Sequence, residues 1–220
     1  MEKNILLTLE YDGSLFHGWQ EQDGQITIQG RLEEALSLVC QKPIKVSGTS
    51  RTDAGVHALA QCCNFKEDIE IPTDRIARAV NNMLSGGRYG AGSKLSAIRV
   101  LSAEEKADEF HARFSAMARR YRYILYCNKL RSAILHGGIT HCYLDLDAEK
   151  MHQAGQYLLG EHDFSSFRAA QCQSNTPWRN VHHLSVTRIG QYIIVDIQAN
   201  AFVHHMVRNI VGSLIEVGAG

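Results

Sequence analysis

The sequence predicts an α+β protein of two similar halves, each an antiparallel sheet flanked by helices. Three observations carry that prediction. The 220 residues suffice for one large domain or two small ones, each able to bury a core. Strand-like alternation and helical periodicity follow one another over residues 1–108, and the pattern repeats in kind over 109–220. A hydrophobic fraction of 45% with only three prolines leaves no stretch that reads as disordered.

The elements follow in order. Ile5, Leu7, Leu9 and Tyr11 alternate onto one face of a strand that Asp12-Gly13 ends. From Thr27 to Gln41, Ile28, Leu32, Ala35, Leu36 and Val39 recur at helical spacing with the charges elsewhere. Pro43 to Val46 and Ala60 to Phe65 read as strands on either side of a Ser47 to His57 loop. Pro72 to Leu84 reads as a helix with Ile76, Ala79, Val80 and Met83 inward. A glycine-rich stretch, Ser85 to Ser93, then precedes a strand from Leu95 to Leu101. After an acidic connector, Ala103 to Glu109, come a strand at Arg120 to Cys127, a helix at Asp147 to Leu159 stopped by Gly160, and strands at Val181 to Ile189 and Tyr192 to Ala199. A last helix, with Asn200 as its expected N-cap, carries Val203, Met206, Val207, Ile210, Val211 and Leu214 on one stripe.

Composition excludes several function classes. No run of about 18 apolar residues exists, and Met1 to Asn4 leads into a strand instead of a signal-peptide core, so the chain reads as soluble and cytoplasmic with no membrane partner. Six cysteines without a C-x-x-C pair read as free buried thiols in a reducing compartment. Eleven histidines include His182-His183 and His204-His205, but neighbours in sequence point apart and no ligand spacing occurs, so no metal is expected. Gly87 to Lys94 departs from a phosphate loop, because its lysine follows the serine and no helix pattern succeeds it; no G-x-S-x-G elbow is present either. The balance of 23 basic and 23 acidic residues conceals an asymmetry. Residues 1–112 hold 12 basic and 16 acidic side chains, residues 113–220 hold 11 and 7, and the stretch 113–131 carries six basic groups with no acid.

Three places carry candidate chemistry. Ser50-Arg51-Thr52-Asp53-Ala54-Gly55-Val56-His57 is a dense polar loop between strands. Arg51 beside Asp53 favours an ionised carboxylate, as a nucleophile or general base requires, while the plainer reading is a structural ion pair or a turn-capping aspartate. The strand Arg119-Arg120-Tyr121-Arg122-Tyr123 alternates guanidinium with phenol, which suits nucleic acid but equally suits a half-buried strand with tyrosines inside and arginines in solvent. Arg208 borders the last helix's apolar stripe, where it either snorkels or reaches a buried carboxylate such as Asp53.

Five motifs in order, Arg51 to His57, Phe110-His111-Ala112-Arg113-Phe114-Ser115-Ala116, Arg119 to Tyr123, Asp163-Phe164-Ser165-Ser166-Phe167-Arg168 and Asn200 to Gly212, resemble the TruA family of tRNA pseudouridine synthases. The similarity runs from Tyr11 to Gly218. It implies the pseudouridine synthase fold with a central cleft, and isomerisation of uridine to pseudouridine at positions 38, 39 and 40 of the tRNA anticodon stem-loop by a homodimer without a cofactor. Residue by residue it implies Asp53 as the catalytic carboxylate with Arg51 in the same motif, Arg208 as the arginine that pairs with the aspartate, and Tyr121 packing on the target base. It also implies tRNA contacts from Phe110, His111, Ala112, Arg113 and Phe114 and from Gln171, Cys172, Gln173, Ser174 and Asn175, and the acid-free basic stretch adds Lys129 as an RNA-binding candidate. The chain departs from the family pattern at Ser50, where glycine is usual, at Asn175, where a basic residue is common, and at 85–96, where the glycine-rich stretch replaces a Leu-Pro-x-Asp-Ile segment. Family members continue past the last helix with a further helix and strand, so a truncation at Gly220 is expected. The rival from another class is a tRNA-binding or tRNA-folding protein with weak catalysis or none; a metal hydrolase has no supporting spacing.

Overall fold

The computed structural model describes residues 2–85, 97–135, 137–172 and 174–220, so the glycine-rich stretch and Gln173 lie outside the described residues. The chain forms two compact units, Met1–Ala116 and Met117–Gly220.

In the first unit, β1 (Lys3–Tyr11) lies between β3 (Ala58–Glu67) and β4 (Ile98–Lys106), antiparallel to both, and a two-residue β2 (Ser47–Gly48) extends the sheet beyond β3. Ile5, Leu7, Leu9 and Tyr11 all face a core shared with Leu32 and Leu36 of α1 (Ile28–Cys40) and Ile76 and Val80 of α2 (Thr73–Leu84). Thr27 caps α1, its Oγ1 accepting from Gly30 N, and Gln41 closes it in the left-handed region at φ 54°.

Several sequence expectations change here for identifiable reasons. Pro43 to Val46 is not a strand, because α1 side chains take its backbone donors: Ile44 N donates to Ser37 Oγ at 2.9 Å and Val46 N to the Glu33 carboxylate at 2.9 Å. Glu33 is therefore buried within α1, where only apolar residues were expected inside, and Lys45 and Gln29 donate to it as well. Leu84 takes the inward position of α2 that the periodicity gave to Met83. Half of the acidic connector belongs to β4, since Ala103 to Lys106 pair with Leu7 to Asn4. Residues 109–116, placed by sequence with the second half, sit in the first unit, tied down by two buried asparagines. Asn4 Nδ2 donates to the carbonyls of Ala107 and Phe110, and Asn64 Oδ1 accepts from Ala112 N.

The second unit orders its sheet β6-β5-β9-β8-β7, from β5 (Arg119–Cys127), β6 (Thr140–Cys142), β7 (Gly160–Asp163), β8 (Trp178–Ile189) and β9 (Tyr192–Ala199). All pairings are antiparallel except β5 with β6, which is parallel, so this sheet is mixed. Its core joins Leu125, Leu184, Val195 and Ile197 to Met151 of α3 (Ala148–Gln156) and to Met206, Ile210 and Leu214 of α4 (Met206–Ala219). α4 starts six residues after its expected cap. Asn200 Oδ1 accepts instead from Ala201 N and from Asn180 N, fastening the end of β9 to β8, and His205 at φ 62° precedes the helix. α3 stops at Gln156 because Leu158 N and Leu159 N turn back to the carbonyls of Gly155 and Gln156. All six cysteines are free, but only Cys63 and Cys142 are buried.

Candidate active site

In the first unit, Asp53 is half-buried and Arg51 exposed, on the loop between β2 and β3. One segment, residues 11–19, grips that loop. Trp19 N donates to Thr52 O at 2.9 Å, and Tyr11 Oη lies 2.8 Å from Thr52 Oγ1. Gln61 Nε2 donates to Ser50 O at 2.7 Å, and Val56 N closes a turn onto Asp53 O at 3.1 Å around Gly55 at φ 79°. Two glycines let the chains meet. A Cβ at Gly18, which sits at φ 85°, would lie 2.6 Å from Thr52 O, and one at Gly13 would lie 2.0 Å from Val56 O. The sequence marks Gly13 only as the end of a strand and does not single out Gly18 or Trp19; the signal available was a Tyr-Asp-Gly turn followed closely by a second glycine beside a tryptophan.

The Phe110 to Phe114 segment is anchored from below and displayed above. Ala112 is buried on the asparagine pair, whereas Arg113 and Phe114 are exposed, Phe114 to 77%. His111 lies tilted against Phe114 with ring centroids 4.5 Å apart, and the Arg113 guanidinium stands 5.7 Å from the same ring. A cation over an exposed aromatic ring is a surface suited to a base and its phosphate. Beside it opens a cavity of about 290 Å³ bordered by Lys45, Lys66, Asp108, Glu109 and His111, but its lysines are engaged, Lys45 by Glu21 and Glu33 and Lys66 by the Asp108 carbonyl.

In the second unit, β5 divides its residues by face. Tyr121 and Tyr123 pack on the core, Tyr121 edge-on to Phe202 at 5.1 Å and Tyr123 accepting from Thr140 Oγ1 at 3.0 Å. Arg120 and Arg122 leave the other face and converge on Asp196 of β9, at 2.7 Å and 2.9 Å. The hydrogen bond from Arg120, joined by that from Arg122, holds the Asp196 carboxyl below its ordinary range against the effect of burial. The plain reading of this strand holds for its geometry: the tyrosines are half-buried and the arginines are exposed, with the addition that the two arginines share one carboxylate.

Arg208 is exposed in the first turn of α4, and Lys129 is exposed beyond β5. Gln171 and Asn175 are exposed, with Cys172 and Ser174 half-buried, on a loop tied to the approach to α4: Ala169 N donates to His204 O, and His204 N to Cys172 Sγ at 3.3 Å. Burial pushes the Cys172 thiol up, but the His204 and Ser174 amides and the Arg168 guanidinium outweigh it and bring it below its usual value. Arg168, which ends the Asp163 to Arg168 motif, and Arg179, which no sequence motif contains, brace this loop, Arg168 donating to the carbonyls of Cys172 and Ser174 and Arg179 to Thr176 O and Ser174 Oγ.

A family model described as tRNA pseudouridine synthase matches residues 8–115 and 154–220. Among curated relatives, the tRNA pseudouridine synthase A of Haemophilus influenzae (strain 86-028NP) is 62% identical over 216 residues, 98% of this chain and 77% of that protein. The proteins of the same name from Pasteurella multocida (strain Pm70) and Actinobacillus pleuropneumoniae serotype 7 (strain AP76) are 59% and 58% identical over 217 residues, 98% of this chain and 78% and 79% of theirs.

Proposed function

Since this chain belongs to the tRNA pseudouridine synthase family, we propose that it converts uridine to pseudouridine at positions 38, 39 and 40 of the anticodon stem-loop, with Asp53 as the acting carboxylate. It is an isomerase of uridine in tRNA. The reaction breaks the bond from N1 to C1′, turns the base and joins C5 to C1′; C5 gives up a proton and N1 gains one, so the balance closes without an electron donor. Asp53 serves either by attacking the sugar or base covalently or by removing a sugar proton, and both routes start from the ionised carboxylate.

Arg51 and Arg208 would keep that carboxylate ionised and oriented, and Tyr121 would hold the target base once it leaves the stack. Arg113, Phe114 and Lys129, with Phe110 to Ala112 and residues 171–175, would contact the tRNA. We place the enzyme in the cytoplasm; no helix among the described residues is long and apolar enough to cross a membrane. A homodimer would bring together enough basic surface for a chain of zero formal charge to hold tRNA. The second sheet's face turned away from its core, with Ile124, Tyr126, Ile189, Tyr192 and Ile194 all incompletely buried, suits a second copy.

The observation that carries this reading is the grip on the Asp53 loop by Tyr11, Gly13, Gly18 and Trp19, because a carboxylate held in one place is what differential stabilisation of a transition state needs. The test is release of tritium from uridine C5 of unmodified tRNA, beside Asp53→Asn. Release by the parent alone, with the variant folded and still binding tRNA, is expected. Release by both removes Asp53 from the mechanism, and release by neither from folded, tRNA-binding protein favours the non-catalytic rival, which identities of 57–62% to named synthases do not favour.

A further inference from the structure

The grip on the catalytic loop has two sides. On the entry side, Thr52 is bound through its carbonyl and its hydroxyl. On the exit side the contacts run through Val56, whose carbonyl lies against Gly13, and through His57, whose Nδ1 stands 3.1 Å from Asp12 Oδ1. A carboxylate oxygen accepts, so the imidazole Nδ1–H donates. Asp12 is itself fixed. Its Oδ1 also accepts from Ser14 N at 2.9 Å, capping the 3-10 turn Gly13–Leu15, and its own N–H donates to Ala97 O at 2.9 Å. The Ser14 hydrogen bonds, with the charge of His57 as a smaller cause, hold the Asp12 carboxyl below its usual range. His57 is the last residue before β3, whose pairing with β1 begins at Ala58 opposite Tyr11. Asp53 therefore stands between two fastenings, Thr52 one residue before it and His57 four residues after. The ring's other nitrogen, Nε2, is buried and has no hydrogen-bond partner among the described residues, so the ring's polar contribution rests on Nδ1.

We infer that His57 is a positioning residue for Asp53, clamping the exit of the catalytic loop to the Asp12 cap through its Nδ1–H. The inference rests on the reading of Asp53 as the acting carboxylate. A loop fastened at one end only lets the carboxylate wander, which lowers the rate of the chemical step and leaves tRNA affinity alone. Only a group at the Nδ1 position can supply the clamp. Asparagine places an amide N–H there, whereas glutamine reaches the Nε2 position.

The experiment measures kcat and KM for tritium release from C5-labelled tRNA in His57→Ala, His57→Asn, His57→Gln and Asp12→Ala, with Asp53→Asn alongside. His57→Ala is expected to lower kcat about ten- to a hundredfold with KM within about twofold. His57→Asn recovers most of the loss and His57→Gln does not. Asp12→Ala matches His57→Ala, and the double variant loses no more than either. Equal loss in Asn and Gln, with a lowered melting temperature and no split between kcat and KM, overturns the inference in favour of plain packing. Rescue by Gln alone overturns it in favour of Nε2. If the alanine variant fails to fold, the contrast between Asn and Gln still decides. An active Asp53→Asn enzyme refutes the reading of Asp53, whereas an inactive one beside a fully active His57→Ala refutes the clamp alone.

Discussion

The Asp53 loop of the first unit is held mainly by neutral hydrogen bonds and close backbone contacts, with the Asp12 carboxylate at its exit; the arginines of β5 in the second unit are held by charge. Around Asp53 the bonds run between backbone groups, a tyrosine hydroxyl and a glutamine amide, and two glycines bring backbone against backbone. On β5, Arg120 and Arg122 remain 51% and 57% exposed while sharing Asp196, itself 11% exposed. Neutral bonds at contact distance are insensitive to salt and tolerate little displacement. The guanidinium ends of these pairs reach solvent, so salt screens them more than the bonds around Asp53, and each arginine keeps N–H groups that a phosphate can accept from. The Asp53 loop is suited to fixing an atom, the β5 arginines to accepting a polyanion.

The sharpest way to break that contrast is to disturb the backbone contact in the first unit. Gly18→Ala must place a Cβ 2.6 Å from Thr52 O while keeping φ at 85°, which costs about 1–3 kcal/mol for the strained backbone before the clash is counted. We expect kcat to fall more than about a hundredfold and the melting temperature to drop, read by tritium release and thermal circular dichroism. Gly13→Ala should behave alike. Tyr11→Phe is milder. It removes only the hydroxyl facing Thr52, so a loss of about 1 kcal/mol in stability is expected from chemical denaturation, with a several-fold fall in kcat. An unchanged kcat in Gly18→Ala would mean that the grip on the loop is unrelated to catalysis.

What could be read from sequence follows the same division. β1 and α1 were legible because each writes one period over many residues, and β9 was placed to the residue. The short strands were not. β2, β6 and β7 hold two, three and four residues, too few to show alternation, and Pro43 to Val46 has a strand's pattern but not its pairing, because its donors go to side chains of the preceding helix. The Arg51 to His57 loop stands out in the sequence as a dense polar motif, but the residues that hold it come from 11–19, and nothing in a linear pattern ties Gly18 to Thr52. Asn4 and Asn64 were equally hidden: a polar residue inside a strand looks like an outward position until its partners at Ala107, Phe110 and Ala112 are seen.

In the second unit the informative change is to charge. Asp196→Asn frees Arg120 and Arg122 from their shared carboxylate, so tRNA should bind several-fold more tightly at low salt, with a dependence of log Kd on log salt steeper by about one. The same carboxylate gives a pH dependence. Its folded pKa lies below its unfolded value near 3.9, so its contribution to stability is complete above about pH 4 to 5 and is lost as pH falls through the folded value. Thermal melts should be flat from pH 6 to 8 on this account and decline under acid, less steeply in Asp196→Asn. An unaltered salt slope in the variant would show that the two arginines never reach phosphate.

The smallest effect is expected at Lys129, and it tests the comparison most finely. The side chain is exposed beyond β5 and has no ion-pair partner among the described residues, so its removal should cost one phosphate contact and nothing in the fold. Lys129→Ala is expected to weaken tRNA binding about two- to threefold near physiological salt and to lower the salt slope by about one, with an unchanged melting temperature. Affinity is read by equilibrium binding across a salt series and catalysis by tritium release at saturating tRNA. If charge in the second unit only gathers the polyanion, KM should follow the affinity while kcat stays. A fall in kcat at saturation would place Lys129 among the groups that fix geometry, and the division between a positioning loop around Asp53 and a gathering strand at β5 would no longer hold.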